Sequence, residues 1–338
     1  MTNSTVLSMK PLSFLWPVSD PFLFCAHHLD HYPAGNEQMG PSASLAGRSL
    51  GNDFTLKDGW RMYHGEKVPG FPAHPHRGFE TVTIVKTGLV DHSDSHGQAG
   101  RYGNGDVQWM TAGAGLQHCE MFPLLNTESA NPAELFQIWL NLPRASKFAN
   151  PYFRMLWNET IPVKTLNDEN GKEVSVRIIA GEFMGVKAPP PAPDSWAAND
   201  DNEVCIWTIS MQAGSSFTIP AAKGTVSRNI YFFEGNTLKV AGTEVKNNHA
   251  VELNSTIDNV ILNGNSESQL LLLQGKPIGE PVVQYGPFVM NSQAEIQQAM
   301  TDYRSTEFGG WPWPRHDQVH PRNQVRFAKY ADGTEEKP

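Results

Sequence analysis

Short runs in which apolar side chains alternate with polar ones, or fill every position, recur along this chain from about residue 80 onward. Gly, Pro, Asn or Asp closes each run. Alternation with period two places one set of side chains on one face of a strand, and β-branched runs suit strands covered on both faces. In the first half, residues 81–85 (Thr-Val-Thr-Ile-Val) are β-branched throughout. Residues 107–110 follow a turn at Asn104-Gly105, and residues 136–142 alternate through Gln137 and Asn141. In the second half the candidate strands are 174–180, 204–210, 216–219, 229–233, 237–240, 250–253, 260–262 and 270–273. The stretch 187–194 holds four prolines and is expected to be an extended loop. No long amphipathic helix separates these strands, so the pattern predicts an all-β sandwich or barrel.

One helix is expected near the end. Ser292-Gln293-Ala294-Glu295 reads as a capping box, and Ile296, Ala299 and Met300 then share one face, through about Tyr303. The polar stretch 158–172 separates the two β regions, which gives expected domains at 1–160 and 161–338 with no visible mutual repeat. Residues 1–50 read as short strands and loops. The end of the tail, Glu335-Glu336-Lys337-Pro338, reads as mobile.

Composition narrows the class. The 54 glycines and prolines among 338 residues favour turns over helices. A net charge of −9 with no strong basic cluster argues against direct nucleic-acid binding; the most basic stretch, 315–329, is broken by Asp317. The three cysteines, Cys25, Cys119 and Cys205, are too few and too scattered for a disulfide framework or a thiolate zinc site. The apolar stretch 12–24 is interrupted by Pro17, Asp20 and Pro21, so neither a signal peptide nor a membrane span is expected, and the location expected is cytoplasmic.

The histidines carry the chemistry. Six of the twelve lie between residues 64 and 118, and the span 119–315 holds only His249. His74-Pro75-His76 is an H-x-H, whose imidazoles fall on one face of an extended strand. Pro75 cannot donate to a ladder, so that strand should be an edge or slightly irregular there. His118-Cys119-Glu120 repeats the spacing with a carboxylate. Three neutral nitrogens and one anionic oxygen suit Fe(II), Mn(II), Ni(II), Cu(II) or Zn(II), with coordination positions left open. Glycines within 105–117 permit the tight corners that would turn the second pair toward the first. Cys119, between two candidate ligands, should face away from them as a packing thiol. His92 and His96 are read as a solvated hairpin tip, although His92 lies between the two ligand pairs. Trp311-Pro312-Trp313-Pro314 is read as an anchored tail. Gly113-Ala114-Gly115 lacks the Lys-Ser/Thr of a phosphate loop.

The stretches His74-Pro75-His76-Arg77-Gly78-Phe79-Glu80-Thr81 and Gly105-Asp106-Val107-Gln108-Trp109-Met110-Thr111-Ala112-Gly113 resemble the signature segments of the pirin family, a branch of the cupins. Further similarity lies in Phe136-Gln137-Ile138-Trp139-Leu140-Asn141-Leu142-Pro143, Gly181-Glu182-Phe183-Met184-Gly185-Val186-Lys187 and 281–291, so the resemblance spans about 65–305. It implies two tandem cupin (jelly-roll type) β-barrels with a short C-terminal helix and a metal in the first barrel alone. It implies iron as the metal, with another divalent transition ion as the alternative. In cupins at large the carboxylate ligand often comes from the first motif, where Glu80 stands. In the pirin pattern it comes from the second, which implies His74, His76, His118 and Glu120 as ligands and leaves Glu80 a supporting role. The activity implied is an Fe(II)-dependent dioxygenase of the quercetin 2,3-dioxygenase kind, acting on a small aromatic substrate and O2 with Glu120 as proton acceptor. The alternative is a metal- and redox-responsive protein that binds a transcription factor or metabolic enzyme.

Overall fold

The alternating runs become strands because each has one apolar face to bury. In Glu173–Ala180, Val174, Val176 and Ile178 are enclosed while Ser175 and Arg177 remain half-buried. In Asn259–Asn263, Ile261 is enclosed while Val260 and Leu262 face out. The computed structural model describes residues 4–338. Apart from short 3-10 turns and the helix Gln293–Thr306, its regular elements are strands, paired antiparallel wherever they form ladders.

The chain divides into two compact units. One comprises the first segment to Ala26, Ile138–Pro143 and Glu159–Gly279. Its larger sheet has the order Val6–Pro11, His249–Leu253, Ser227–Glu234, Ser268–Gly275, Cys205–Met211, Glu173–Ala180, Val163–Asn167. Its smaller sheet has the order Ser216–Ile219, Asn259–Asn263, Thr237–Val240, Thr243–Lys246. Val176, Trp207, Phe232 and Leu272 from the first meet Phe217, Leu238, Val245 and Ile261 from the second in one core. Two facing sheets around one apolar filling form the barrel.

The other unit comprises His27–Gln137, Arg144–Asn158 and Glu280–Pro338. One of its sheets has the order Glu335–Glu336, Phe327–Lys329, Ala99–Gly103, Leu89–Asp94, Leu116–Met121, Gly70–His76. A second has the order Tyr152–Leu156, Val107–Thr111, Phe79–Thr87, Asn131–Asn141, Phe22–Tyr32. Phe79–Thr87 is enclosed for most of its length, as its β-branched run implies. The strand with Pro75 is an edge, as expected.

These units do not follow a linear division at residue 160. The N-terminal strand Val6–Pro11 pairs with His249–Leu253, and the C-terminal strand Phe327–Lys329 pairs with Ala99–Gly103. Each terminal strand caps a sheet edge whose N–H and C=O groups would otherwise lack partners. The tail end is likewise not loose: Glu335–Glu336 pairs with Phe327–Lys329. Trp157 Nε1 and the Tyr330 hydroxyl both donate to the Glu336 carboxylate, at 2.7 Å and 2.6 Å.

The tail is held on the strands Gly70–His76, Leu89–Asp94 and Leu116–Met121. Ala73 N donates to His316 O at 2.8 Å, and Trp313 Nε1 donates to Asp94 O at 2.7 Å. Trp311 and Val319 pack on Cys119 and Met121. Arg101 reaches the carbonyls of His320, Pro321 and Gln324 while paired with Asp91. The tryptophan-proline stretch is thus an anchored tail, as its sequence suggested. The helix opens as its capping box requires: the Ser292 hydroxyl accepts the Glu295 N–H. Ile296 and Ala299 are buried, and the helix runs three residues beyond Tyr303. No helix among the described residues is long and apolar enough to cross a membrane.

Candidate metal centre

Residues two apart on a strand share a face, and the structure uses this twice at one place. His74 and His118 are register partners across the antiparallel pair Gly70–His76 and Leu116–Met121. Their ring centroids are 4.6 Å apart, and His76 lies 4.7 Å from His74 and 4.9 Å from His118. One nitrogen from each of the three lies within 4.8 Å of the others, and no other such group of His, Cys, Asp or Glu occurs among the described residues.

Burial keeps these rings neutral. It pushes the His74 imidazolium down to about 4 and holds those of His76 and His118 well below the usual histidine range, with the neighbouring imidazoles adding to the effect. Lone pairs are therefore available at neutral pH. The tautomer at His74 follows from its hydrogen bond: Nδ1–H donates to Pro72 O at 2.9 Å, which leaves Nε2 as a donor to an ion. His118 Nε2 is buried with no hydrogen-bond partner among the described residues. A buried polar nitrogen in that state is costly unless something binds it. The donor set and this orphaned atom fit a divalent transition metal.

Glu120 stands 3.8 Å from His118 Nε2 through its Oε2. Its carboxylate is held from behind: Thr83 Oγ1 donates to Oε1 at 3.1 Å and Gln137 Nε2 to Oε2 at 2.8 Å. Burial raises its pKa, opposed by the adjacent His92 and by these donors. Glu80, the other candidate carboxylate, is also fully enclosed and accepts the Thr111 hydroxyl at 2.7 Å. Neither carboxylate comes within the tight spacing of the three imidazoles.

His92 is not at a solvated tip. It is 0% exposed, stacked on Phe153 with 5.2 Å between ring centroids, and opposite Glu120 in the register of Leu89–Asp94 against Leu116–Met121. His96 alone of that pair is exposed. The hairpin turns later than its polar sequence suggests, because the Asp94 carboxylate accepts the backbone N–H groups of His96 and Gln98. His92 Nδ1 lies 3.4 Å from His118 Nδ1, and its Nε2 lies 3.4 Å from Asp94 Oδ2. With His118 Nε2 turned to an ion, His118 Nδ1–H donates to His92 Nδ1, and His92 Nε2–H donates to Asp94. This relay of His118, His92 and Asp94 fixes one tautomer at each ring. Cys119 faces the opposite side, enclosed with Val68 and Met121, as its position between two candidate ligands implies.

Thr83, Gln137 and Asp94 escaped sequence reasoning. Their available signal was a polar residue within a strand otherwise enclosed, such as Thr83 between Val82 and Ile84.

The family model described as Pirin matches residues 20–140, and that described as Pirin C-terminal cupin domain matches residues 206–309. Pirin-1 of Arabidopsis thaliana is 38% identical over 242 residues, covering 71% of this chain and 78% of that protein. Pirin of Mus musculus is 35% identical over 256 residues, covering 73% and 80%. The crystal structure of quercetin 2,3-dioxygenase from Acinetobacter baumannii superposes with a TM-score of 0.70 at 27% identity, covering 90% of this chain and 98% of that one.

Proposed function

The chain belongs to the pirin family of two-barrel cupins, and from that premise we propose that it is an Fe(II)-dependent dioxygenase that cleaves a flavonol-type aromatic substrate with O2. The observation that carries this reading is the trio of neutral, buried imidazoles, one with an unpartnered nitrogen, in a chain similar along most of its length to a quercetin 2,3-dioxygenase. In this reading His74, His76 and His118 hold the ion with Glu120 as the fourth ligand. A bound divalent iron supplies Lewis acidity toward a substrate hydroxylate and a meeting place for dioxygen.

The chain's own residues do the rest. Three imidazoles on two paired strands form a rigid cradle, because strand register fixes their spacing. Glu120, once loosened from the ion, would be the base for the substrate hydroxyl, and Gln137 and Thr83 keep its carboxylate aimed. His92 and Asp94 hold the His118 ring in its ligating tautomer. Substrate and O2 held side by side react with little further loss of freedom.

The test is metal analysis of the purified protein together with oxygen consumption in the presence of quercetin and added Fe(II). Near-stoichiometric metal and flavonol-dependent oxygen uptake are expected, both lost in His118→Ala. Stoichiometric metal with no oxygen uptake would refute the enzyme and favour a metal-responsive protein that binds a protein partner. Absence of stoichiometric metal would refute both.

A further inference from the structure

The unit without the histidine trio repeats the same topology. In the metal-candidate unit the strand Gly70–His76 pairs with Leu116–Met121 and leads into Phe79–Thr87. In the other unit Ser216–Ile219 pairs with Asn259–Asn263 and leads into Ser227–Glu234. The segment that follows Ser216–Ile219, including Ala221 and Lys223, carries no histidine. A cavity of about 220 Å³ borders this segment, lined by the cations Lys187, Lys223 and Arg228 and by the carboxylates Glu182, Asp200 and Glu203.

Arg228 gives that cavity its character. Arg228 as a residue is only 2% exposed. Nε donates to Gln274 Oε1 at 2.7 Å, Nη1 to Asn259 Oδ1 at 2.6 Å and Nη2 to Pro220 O at 2.9 Å. All three acceptors are neutral, and no carboxylate among the described residues lies within ion-pair distance of it. A guanidinium has five N–H donors, so one on each terminal nitrogen is unused. The Glu203 carboxylate is engaged elsewhere, accepting the Lys223 and Gly224 backbone N–H groups at 3.0 Å and 2.6 Å. Lys187 is paired with Asp200 at 2.6 Å, whereas the Lys223 ammonium has no partner among the described residues. Glu203 and Asp258 offset the Arg228 charge only from beyond ion-pair distance, so an anion at its unused N–H groups would complete its pairing.

We propose that this second barrel binds a small organic carboxylate through the Arg228 guanidinium, with Lys223 at the mouth. Trp207, Val204, Ala221 and Ala222 also line the cavity and give the ligand's carbon skeleton an apolar wall. At about 220 Å³ the cavity lies below the roughly 300–1,000 Å³ of drug-sized ligand pockets and suits a short-chain acid. This site is independent of the activity proposed above.

The experiment is a calorimetric titration at constant ionic strength with acetate, malonate, succinate and inorganic phosphate. In parallel, ¹H–¹⁵N spectra follow the Arg228 Nε–H and the Trp207 indole. Saturable binding of at least one carboxylate is expected, moving both resonances. Arg228→Gln should weaken it at least tenfold and the exposed Lys223→Glu severalfold, while His118→Ala leaves it unchanged. The Lys223 variant keeps the test decisive should the Arg228 variant fail to fold. No saturable carboxylate binding would overturn the proposal. So would binding of phosphate alone, affinity unchanged in both Arg228→Gln and Lys223→Glu, or loss of binding in His118→Ala.

Discussion

Replacing Arg101 with Met deletes a guanidinium while keeping most of its aliphatic stem, and the surroundings set the cost. Arg101 and Asp91 are 1% and 0% exposed. Their pairing is two-pronged, Nε to Oδ1 at 2.6 Å and Nη2 to Oδ2 at 2.7 Å. The same group donates to the tail carbonyls of His320, Pro321 and Gln324 at 3.0, 2.9 and 2.8 Å. Without it Asp91 keeps, among the described residues, only the His320 N–H, at 2.8 Å, and loses its counter-charge. Breaking a buried pair from one side costs about 3–5 kcal/mol. The tail can relieve part of this by detaching, which lets its carbonyls and Asp91 reach water. The expected loss is therefore about 3 kcal/mol, near the lower end of that range. Urea unfolding measures it, and hydrogen exchange across residues 311–329, with trypsin cleavage at Arg322 and Arg326, reads tail release. Adding Asp91→Asn removes the stranded charge, so the double variant should regain about 2 kcal/mol. An Arg101→Met protein within about 1 kcal/mol of wild type and with a protected tail would refute the anchoring role. Strict additivity in the double variant would refute it equally.

Three further outcomes are expected. His92→Phe keeps the stack on Phe153 but removes the acceptor of His118 Nδ1–H; metal affinity by competitive chelator titration should fall about 10- to 100-fold with little change in stability, and unchanged affinity would refute the relay. Glu120→Gln should weaken metal binding by more than about tenfold while Glu80→Gln does not, and the reverse order in the same titration would reassign the carboxylate. Lys147 donates to the Gly78 and Val289 carbonyls, and burial pushes its ammonium down to about 8 from the ordinary 10.5. Between those values the unfolded chain holds a proton that the folded chain has released, so this group adds stability as pH rises through the window. Its contribution is at most about 1.4 kcal/mol per pH unit. Lys147→Met should lack that slope in urea unfolding at pH 8 to 10, and parallel wild-type and variant slopes would contradict the assignment.

What the residues determine alone is what local periodicity encodes. Period-two alternation marked the strands of both barrels, and Ser292 with Glu295 marked the helix start. The spacing of His74 with His76, and of His118 with Glu120, put each pair on one strand face, because side-chain direction on a strand depends only on residue parity. Pro75 likewise announced an edge, since it lacks an N–H. The tertiary structure alone decided which strands meet. The register that sets His74 against His118 is a long-range pairing. So are the terminal strands, Val6–Pro11 on one unit and Phe327–Lys329 on the other, which cap edges that no local pattern reveals. Burial of polar groups was equally hidden. His92 sits in a run of polar residues that reads as a loop, yet it is enclosed because His118 and Phe153 from other strands, with Asp94 on its own, supply its partners. Arg228 gave no sequence signal, since a charged residue in a strand normally faces water. Only the enclosure of its guanidinium against Gln274 and Asn259, beside a cavity, sets it apart. Residue parity is fixed by the covalent chain, whereas the neighbours that make a buried polar group tolerable are fixed only by the fold.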